Sequence, residues 1–269
     1  MVTVVTEDGG FKATCDVTVK IKGVAFSDKK IKEICVAAFD TDNDGELTYQ
    51  ELEYVKDLSK ITLQGSMIKS FDELQYFTSV KTIPREFFAD SSIESVILPE
   101  GLEDIMSSAF ANCLELKSIK IPNTVEYIDD KVFAGCKNLE EVILPDNLSF
   151  ISTYLFSDCE SLLTIDIPQS VYAINPYAFN GCKNLTNIIL PPNLKVITQG
   201  MLSGCSGLTT IDIQKGVTEI GGSAFAICAG LKSITIPDMV QYIGVNAFAT
   251  CIYNHRTTKT NQKYPSVNL

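Results

Sequence analysis

A pattern of apolar residues recurs every 23 residues between positions 93 and 253. Each copy reads close to Leu-x-x-Ile-x-Ile-Pro-x-x-Val-x-x-Ile-x-x-x-Ala-Phe-x-x-Cys-x-x, where x is any residue. A fixed period of about 20–50 residues is the signature of a solenoid, in which each repeat forms one coil stacked on its neighbours. The sequence therefore predicts seven coils, which begin at Ile93, Leu116, Leu139, Leu162, Leu185, Leu208 and Leu231.

The first six positions of each coil alternate in the way expected of a strand with one buried face. In the second coil, Leu116, Ile119 and Ile121 would point inward, and a proline follows the strand in six of the seven copies. Because proline cannot donate to a ladder, it ends the strand. Strands of neighbouring coils would pair in parallel about 4.8 Å apart. A second apolar pair, such as Val125 and Ile128, and a column of phenylalanines complete the predicted core.

The outward position of this strand follows a longer period. Ile97, Ile143 and Ile189 occupy it in the first, third and fifth coils, with Lys120 and Asp166 between them. Rows of exposed apolar groups often mark interfaces, although isoleucine is also simply favoured in strands. Both interpretations stay open, and the first predicts a partner-binding face built from these five residues.

Seven cysteines form a third column, with one cysteine per coil. A straight row of parallel side chains opposes the disulfide dihedral angle and cannot surround zinc tetrahedrally. The only histidine, His255, lies beyond the repeats, so no Cys–His pair serves every coil. The sequence therefore predicts buried, reduced thiols that act as small apolar groups. Cys15 and Cys35 lie outside the column, and whether they pair stays open.

A metal-binding pattern precedes the repeats. Residues 40–51 fit the 12-residue EF-hand calcium loop, with alternating aspartates, a glycine at the sharp bend and a glutamate at the end. Calcium prefers six to eight oxygen ligands. The predicted ligands are the side chains of Asp40, Asp42, Asp44 and Glu51, the backbone carbonyl of Glu46, and the hydroxyl or a water at Thr48. The alternative is a solvated turn with helix-capping aspartates.

The residues on both sides of the loop are helical in pattern. Apolar residues before it recur at i, i+3, i+4 and i+7 (Ile31, Ile34, Cys35 and Ala38). After it, Leu52, Val55 and Leu58 predict a second helix, and Leu47 anchors the loop to a core. A single EF-hand favours a structural calcium site rather than a calcium sensor, since the EF-hands of sensor proteins work in pairs.

The remaining segments flank these two parts. Residues 2–22 alternate on both sides of an Asp-Gly-Gly turn and predict a β-hairpin. Residues 61–63 suit a short strand, and residues 68–77 suit a helical or irregular cap. Ile83 and Phe88 keep the spacing of Ile105 and Phe110, which predicts a degenerate coil before the first one. We expect the calcium-loop segment to cover this end of the solenoid, because terminal repeats must shield the core.

Composition excludes several classes. The formal net charge of −11 argues against nucleic acid, whose binding relies on Lys and Arg. No apolar run reaches 18 residues, so no segment is predicted to span a membrane. The N-terminus shows no signal-peptide pattern, which fits a cytosolic protein or a piece of a secreted one. Uninterrupted repeats offer no inserted loop for catalytic groups, so the chain is not predicted to be an enzyme.

The 23-residue pattern resembles the BspA-like, or Treponema pallidum-type, leucine-rich repeat family. Met201-Leu202 replaces Ala-Phe in the fifth coil, and Gln214 replaces proline in the sixth. The resemblance implies a cell-surface or secreted bacterial protein, and some members of the family are adhesins. The calcium loop and cap are similar to an arrangement found in gut Bacteroidetes proteins. Residues 2–22 resemble the closing hairpin of a group 2 bacterial immunoglobulin-like domain.

The predicted fold is an α/β-type, mostly β repeat protein, a leucine-rich-repeat solenoid with a parallel sheet and a small helical EF-hand-like cap. Its predicted parts are a hairpin at 1–22, the EF-hand-like segment and cap at 23–92, seven repeats at 93–253, and a polar tail at 254–269. Two functions remain open. One is a module that binds a protein or glycan through the sheet face, and the other is a spacer within a longer surface protein.

Overall fold

The computed structural model describes the backbone of residues 2–5 and 12–15 and all of residues 23–251. Strand β1 (Val2–Val5) pairs antiparallel with β2 (Lys12–Cys15), so the predicted strand pairing is confirmed. The immunoglobulin-like resemblance stays a prediction. The predicted tail at 254–269 and the side chain of Cys15 lie outside the described residues.

Two short helices flank the predicted calcium loop. Helix α1 (Lys29–Phe39) begins after Asp28, whose carboxylate accepts from two backbone N–H groups, and it buries Ile31, Cys35 and Phe39. Helix α2 (Tyr49–Tyr54) begins at a capping box. It is shorter than predicted, because Val55 takes an extended backbone conformation and ends it. Leu58 is fully buried but lies outside the helix.

The segment between the helices and the repeats forms the end of the solenoid. It contains strand β3 (Ser70–Phe71), a 3-10 helix (Asp72–Tyr76) and strand β4 (Thr82–Ile83). Residues 61–63 are not a strand, contrary to the prediction, since Leu63 makes a single backbone hydrogen bond to Phe87 instead of a ladder. Ile83 pairs in register with Ile105, which confirms the degenerate coil.

Parallel strands form along two lines of the solenoid. The predicted line holds β3, β5 (Ser95–Val96), β7 (Ser118–Lys120) and β9 (Glu141–Ile143), which we call the first sheet. The first sheet pairs β3 with β5 and β7 with β9, and regular strands there end at the third coil. The prediction of a regular strand in all seven coils was therefore wrong for the last four.

A second line of strands runs through most coils and was not predicted. It holds β4, β6 (Asp104–Ile105), β8 (Tyr127–Ile128), β10 (Phe150–Ile151), β11 (Ala173–Ile174), β12 (Val196–Ile197), β13 (Glu219–Ile220) and β14 (Tyr242–Ile243). We call it the second sheet. Its pairs are offset by one repeat, as in Ile105 with Ile128 and Ile197 with Ile220. The sequence showed these positions only as an apolar pair.

The core is continuous from the helices to the last coil. Phe88, Phe110, Phe133, Phe156 and Phe179 stack on one another with centroid distances of 4.8–5.7 Å. Leu202 interrupts this column, and Phe225 stacks on Phe248 beyond it at 5.3 Å. Phe39 of α1 contacts Phe77 at 5.8 Å. The predicted cover of this end of the solenoid by the helical segment is therefore confirmed.

All seven cysteines of the column are free thiols, as predicted, and six of them are buried, whereas Cys251 is partly exposed. Each thiol of the column donates a hydrogen bond to a backbone carbonyl of the preceding coil, as Cys136 does to Phe110 at 3.0 Å and Cys159 does to Phe133 at 3.2 Å. The same Phe110 carbonyl also accepts from Cys113 N–H, so the thiol of Cys136 binds the second lone pair of that carbonyl oxygen. Burial raises the pKa of Cys159, Cys182 and Cys205 above the usual range of a thiol.

Candidate functional site

The outer face of the first sheet carries the predicted row of isoleucines. The exposed fractions are 47% for Ile97, 49% for Ile143 and 64% for Ile189, whereas the preceding residues, Val142 for instance, are buried. Successive side chains of an extended backbone point to opposite sides, which explains the difference at Ile143 in β9. Ile97 and Ile189 also follow a buried residue, although neither lies in a regular strand. The structure therefore places all three isoleucines outward, as the sequence predicted.

The two charged residues of the row are also exposed but differ in their surroundings. Lys120 lies 3.7 Å from the carboxylate of Glu100, in an ion pair whose side chains are both largely exposed. Such pairs contribute about 0–1 kcal/mol. Asp166 forms no ion pair with any residue that the structure describes. The row therefore has a neutralised charge at the second coil and an open negative charge at the fourth.

A groove opens between the third and fourth coils on this face. Its volume is about 800 Å³, and Glu141, Ile143, Leu163 and Asp166 are among its lining residues. No backbone hydrogen bond joins residues 140–144 to residues 163–167, which are all described. Leu163 is 53% exposed and was missed by the sequence analysis. The signal was present in the sequence, since all six other coils have a polar residue at this second position.

The predicted calcium loop brings its three aspartates together. Carboxylate oxygens of Asp40, Asp42 and Asp44 lie within 4.8 Å of one another. The loop's own backbone orients them: Asp40 accepts from Asn43 N–H at 2.7 Å and from Gly45 N–H at 2.9 Å. Asn43 and Gly45 have φ angles of 60° and 83°, which bend the loop sharply. The arrangement is a concentrated set of hard oxygen donors.

Mutual repulsion is visible in this group. The hydrogen bond from Asp44 N–H lowers the pKa of Asp42, but burial and the nearby carboxylates of Asp44 and Glu51 outweigh it, so the pKa is raised. A cation at this position would relieve that repulsion. The donor chemistry of the three aspartates therefore fits a calcium ion.

The other predicted ligands are arranged differently. Glu51 accepts from Thr41 N–H at 2.8 Å and from Thr48 N–H at 2.9 Å, and it lies outside the aspartate group. Burial raises the pKa of Glu51, but the hydrogen bonds from Thr48 and Thr41 outweigh it and lower the pKa to about 2. The Thr48 hydroxyl is engaged in the same capping box. The side chain of Glu46 pairs with Lys32 at 2.7 Å, which leaves its backbone carbonyl as the predicted ligand.

The middle of the loop is tied to the preceding segment. Leu47 is fully buried, as predicted for the residue that anchors the loop. Its carbonyl accepts from Val24 N–H at 2.7 Å. This bond fixes the position of the loop against residues that follow the N-terminal hairpin in the sequence.

The comparisons with known proteins agree with this architecture. The BspA type leucine rich repeat region matches residues 66–174 and 149–265 in six copies. The chain belongs to this family. The match begins within the cap, where the structure has the degenerate coil, and the family is one of non-enzymatic repeat proteins. No curated protein matches the chain.

Solved structures of bacterial proteins show the same fold. The leucine rich repeat protein of Treponema pallidum is 27% identical over 64% of this chain and 70% of that one, with a TM-score of 0.50. A leucine rich cell surface protein of Faecalibacterium prausnitzii is 23% identical over 75% of this chain and 67% of that one, with a TM-score of 0.51. The predicted solenoid fold is thereby confirmed. Among the described residues, no helix is both long and apolar enough to cross a bilayer.

Proposed function

We propose that this chain is a non-catalytic module of a bacterial cell-surface or secreted protein and binds a protein partner through the outer face of the first sheet. The observation that carries the proposal is the row of exposed isoleucines beside the groove. Its members repeat at every second coil, so the row presents evenly spaced apolar anchors over five coils. Membership of the BspA type family and the cell-surface relative in F. prausnitzii support this setting.

The exposed apolar area is large enough to affect affinity measurably. Complete burial of an isoleucine side chain is worth about 1.5–3 kcal/mol. Ile143 and Ile189 are 49% and 64% exposed, so burying the exposed part of each side chain would contribute about 1 kcal/mol to the binding free energy. Joint replacement of both isoleucines by serine should therefore weaken the binding of a partner by about 2 kcal/mol, which is about thirtyfold in Kd.

The test begins with a panel of host matrix proteins and bacterial surface extracts, each immobilised and titrated with the purified chain. Any protein that binds saturably is then titrated with I143S/I189S and with the control I227S/V245S. The control removes two exposed aliphatic side chains, 55% and 77% exposed, from the turns outside the first sheet. We expect about a thirtyfold loss for the first variant alone. Equal affinities of both variants for a verified partner would reject the sheet face.

A spacer without a ligand is the alternative function. It predicts no saturable binding by the isolated chain to any member of the panel. The regular spacing of the isoleucines favours the binding module, because a spacer requires only that the inward columns stay apolar. A glycan ligand would instead appear as binding that glycosidase treatment of the partner abolishes.

We also propose that the loop at 40–51 binds a structural calcium ion. Asp40, Asp42 and Asp44 would hold it with the carbonyl of Glu46, and Glu51 would join them by exchanging its hydrogen bond with Thr41 for the ion. Millimolar extracellular calcium would fill even a weak site of this type. Ligand binding to the folded state raises stability by mass action.

Calorimetric titration of calcium into metal-depleted protein tests this second proposal. Glu51→Gln should weaken binding strongly, while Glu53→Gln, an exposed neighbour on the same helix, should not. Asp40→Ala should abolish the heat. If millimolar calcium gives the wild-type chain neither a binding heat nor a higher melting temperature, the loop binds no calcium and is only a turn that joins two helices.

A further inference from the structure

The groove on the first sheet is acidic and lacks its own counter-charges. Its lining includes the four carboxylates of Glu140, Glu141, Asp146 and Asp166, and no lysine or arginine. Asp146 is hydrogen-bonded to Asn123. The other three carboxylates pair with no cation among the described residues. Uncompensated charge of one sign in a groove attracts a partner of the opposite sign.

The same groove is apolar in part. Ile143 and Leu163 line it and are 49% and 53% exposed. A second, smaller depression of about 340 Å³ repeats the combination two coils further along, with Ile189 and Asp212. A partner that matches this surface must therefore bring apolar and cationic side chains together on one side.

The spacing of the row selects the shape of that partner. Ile143, Asp166, Ile189 and Asp212 occupy the outward position of four successive coils. These coils are held together on the second sheet, where paired strands such as β10 and β11, or β12 and β13, lie about 4.8 Å apart. Along a helix, residues on one face at i, i+4, i+7 and i+11 are on average about 5.5 Å apart. Residues on one face of an extended strand are about 6.7 Å apart. Over three intervals, the length of the helix differs from that of the row by about 2 Å and the length of the strand by about 6 Å.

We infer that the outer face of the first sheet binds a cationic amphipathic helix that lies along the solenoid axis. Apolar residues of the helix pack on Ile143 and Ile189, and lysines or arginines between them reach Asp166 and Asp212. This inference rests on the proposed function and specifies the partner of the same face.

Three labelled helical peptides of 15 residues, built on alanine and glutamine, test the inference by fluorescence anisotropy. The first has leucine at its first and eighth positions and lysine at its fifth and twelfth. The second replaces both lysines with glutamate. The third keeps the composition of the first but moves the lysines to its third and tenth positions, on another face of the helix.

The protein variants separate this face from the general negative charge of the chain. E141Q/D166N/D212N removes three carboxylates from the first sheet. D104N/E126Q/E219Q removes two carboxylates from strands of the second sheet and one from the residue before β8, so its net charge is the same. Exposed charge pairs contribute about 0.2–1 kcal/mol each, which predicts about a tenfold weaker affinity of the first peptide for the first variant.

Saturable binding of the first peptide alone, weakened about tenfold only by the first variant, is the expected result. Equal binding to both variants, equal binding of the shifted peptide, or no saturation at millimolar peptide would each overturn the inference. The proposed function has a separate outcome. A protein partner that still loses affinity in I143S/I189S would keep the face as a binding site and reject only the cationic helix.

Discussion

Glu51 is expected to stabilise the helical cap through its charge, independently of any calcium ion. Its carboxylate accepts from Thr41 and Thr48 and thereby connects the first residues of the loop to the start of α2. Glutamine also forms capping boxes and keeps one oxygen acceptor, but its NH2 group cannot accept from the second threonine as the carboxylate does. The part of the difference between the two proteins that changes with pH therefore reports the negative charge.

The pKa of Glu51 sets the size and the pH range of the effect. The folded-state pKa is about 2, against 4.5 for an unperturbed glutamate. At about 1.4 kcal/mol per pH unit, this difference gives an upper limit of about 3.4 kcal/mol. Since the side chain is partly exposed, solvent screening reduces the expected contribution to about 1–2 kcal/mol. Because the folded pKa is lowered, the stabilisation is complete above pH 4.5 and is lost as pH falls toward 2.

Hydrogen exchange of the α1 and α2 amides in calcium-free buffer measures this local stability directly. We expect Glu51→Gln to lower protection by about 1–2 kcal/mol at pH 7 and by progressively less below pH 4.5. Glu53→Gln removes a neighbouring exposed charge and should leave protection almost unchanged. A loss that is the same at pH 7 and pH 3, or the same in both variants, would refute the charge-based explanation.

Two further predictions concern the solenoid core. Phe133→Ala should destabilise the chain by about 3–5 kcal/mol in urea unfolding, because Phe133 is fully buried and stacks on neighbours at 5.5 and 5.7 Å. A loss of less than about 1 kcal/mol in the free energy of unfolding would show that the phenylalanine column contributes little to the stability of the core. In a Cys15→Ser background, a thiol reagent should label Cys251 first, because it is partly exposed, and Cys159 and Cys182 only on unfolding. Labelling of all ladder thiols at one fast rate would contradict their burial.

The period of the sequence was sufficient to predict the coils and the columns of the core. Cys136 and Phe133 are where a 23-residue stack requires them to be, because a solenoid repeats one local solution along the chain. Ile83 joins the same stack at a spacing of 22 residues from Ile105. The second sheet was not predictable in the same way. Its strands are two residues long, so a single inward isoleucine such as Ile128 leaves no alternation to recognise.

The candidate sites were predicted in composition but not in geometry. The aspartates of the calcium loop converge as the motif implies. Glu51, however, is held by Thr41, which is not among the predicted ligands, and by Thr48 acting as a helix cap. Likewise the outward isoleucines follow from strand alternation, whereas the groove depends on how the third and fourth coils separate. Leu163 lines that groove in a part of the chain that has no regular strand. Contacts of this kind depend on tertiary structure, which a local pattern does not specify.

The architecture separates stability from recognition. Inward columns such as Ile119 and Val142 are buried and must stay apolar in every coil, since each coil closes the core of the next. Outward positions are free of this requirement, so one substitution per coil changes a surface row at little cost to folding. The alternation of Ile143 and Ile189 with aspartates is therefore not explained by the packing of the solenoid. For the same reason I143S/I189S should unfold like the parent chain, and any loss of binding that it shows can be assigned to the face itself.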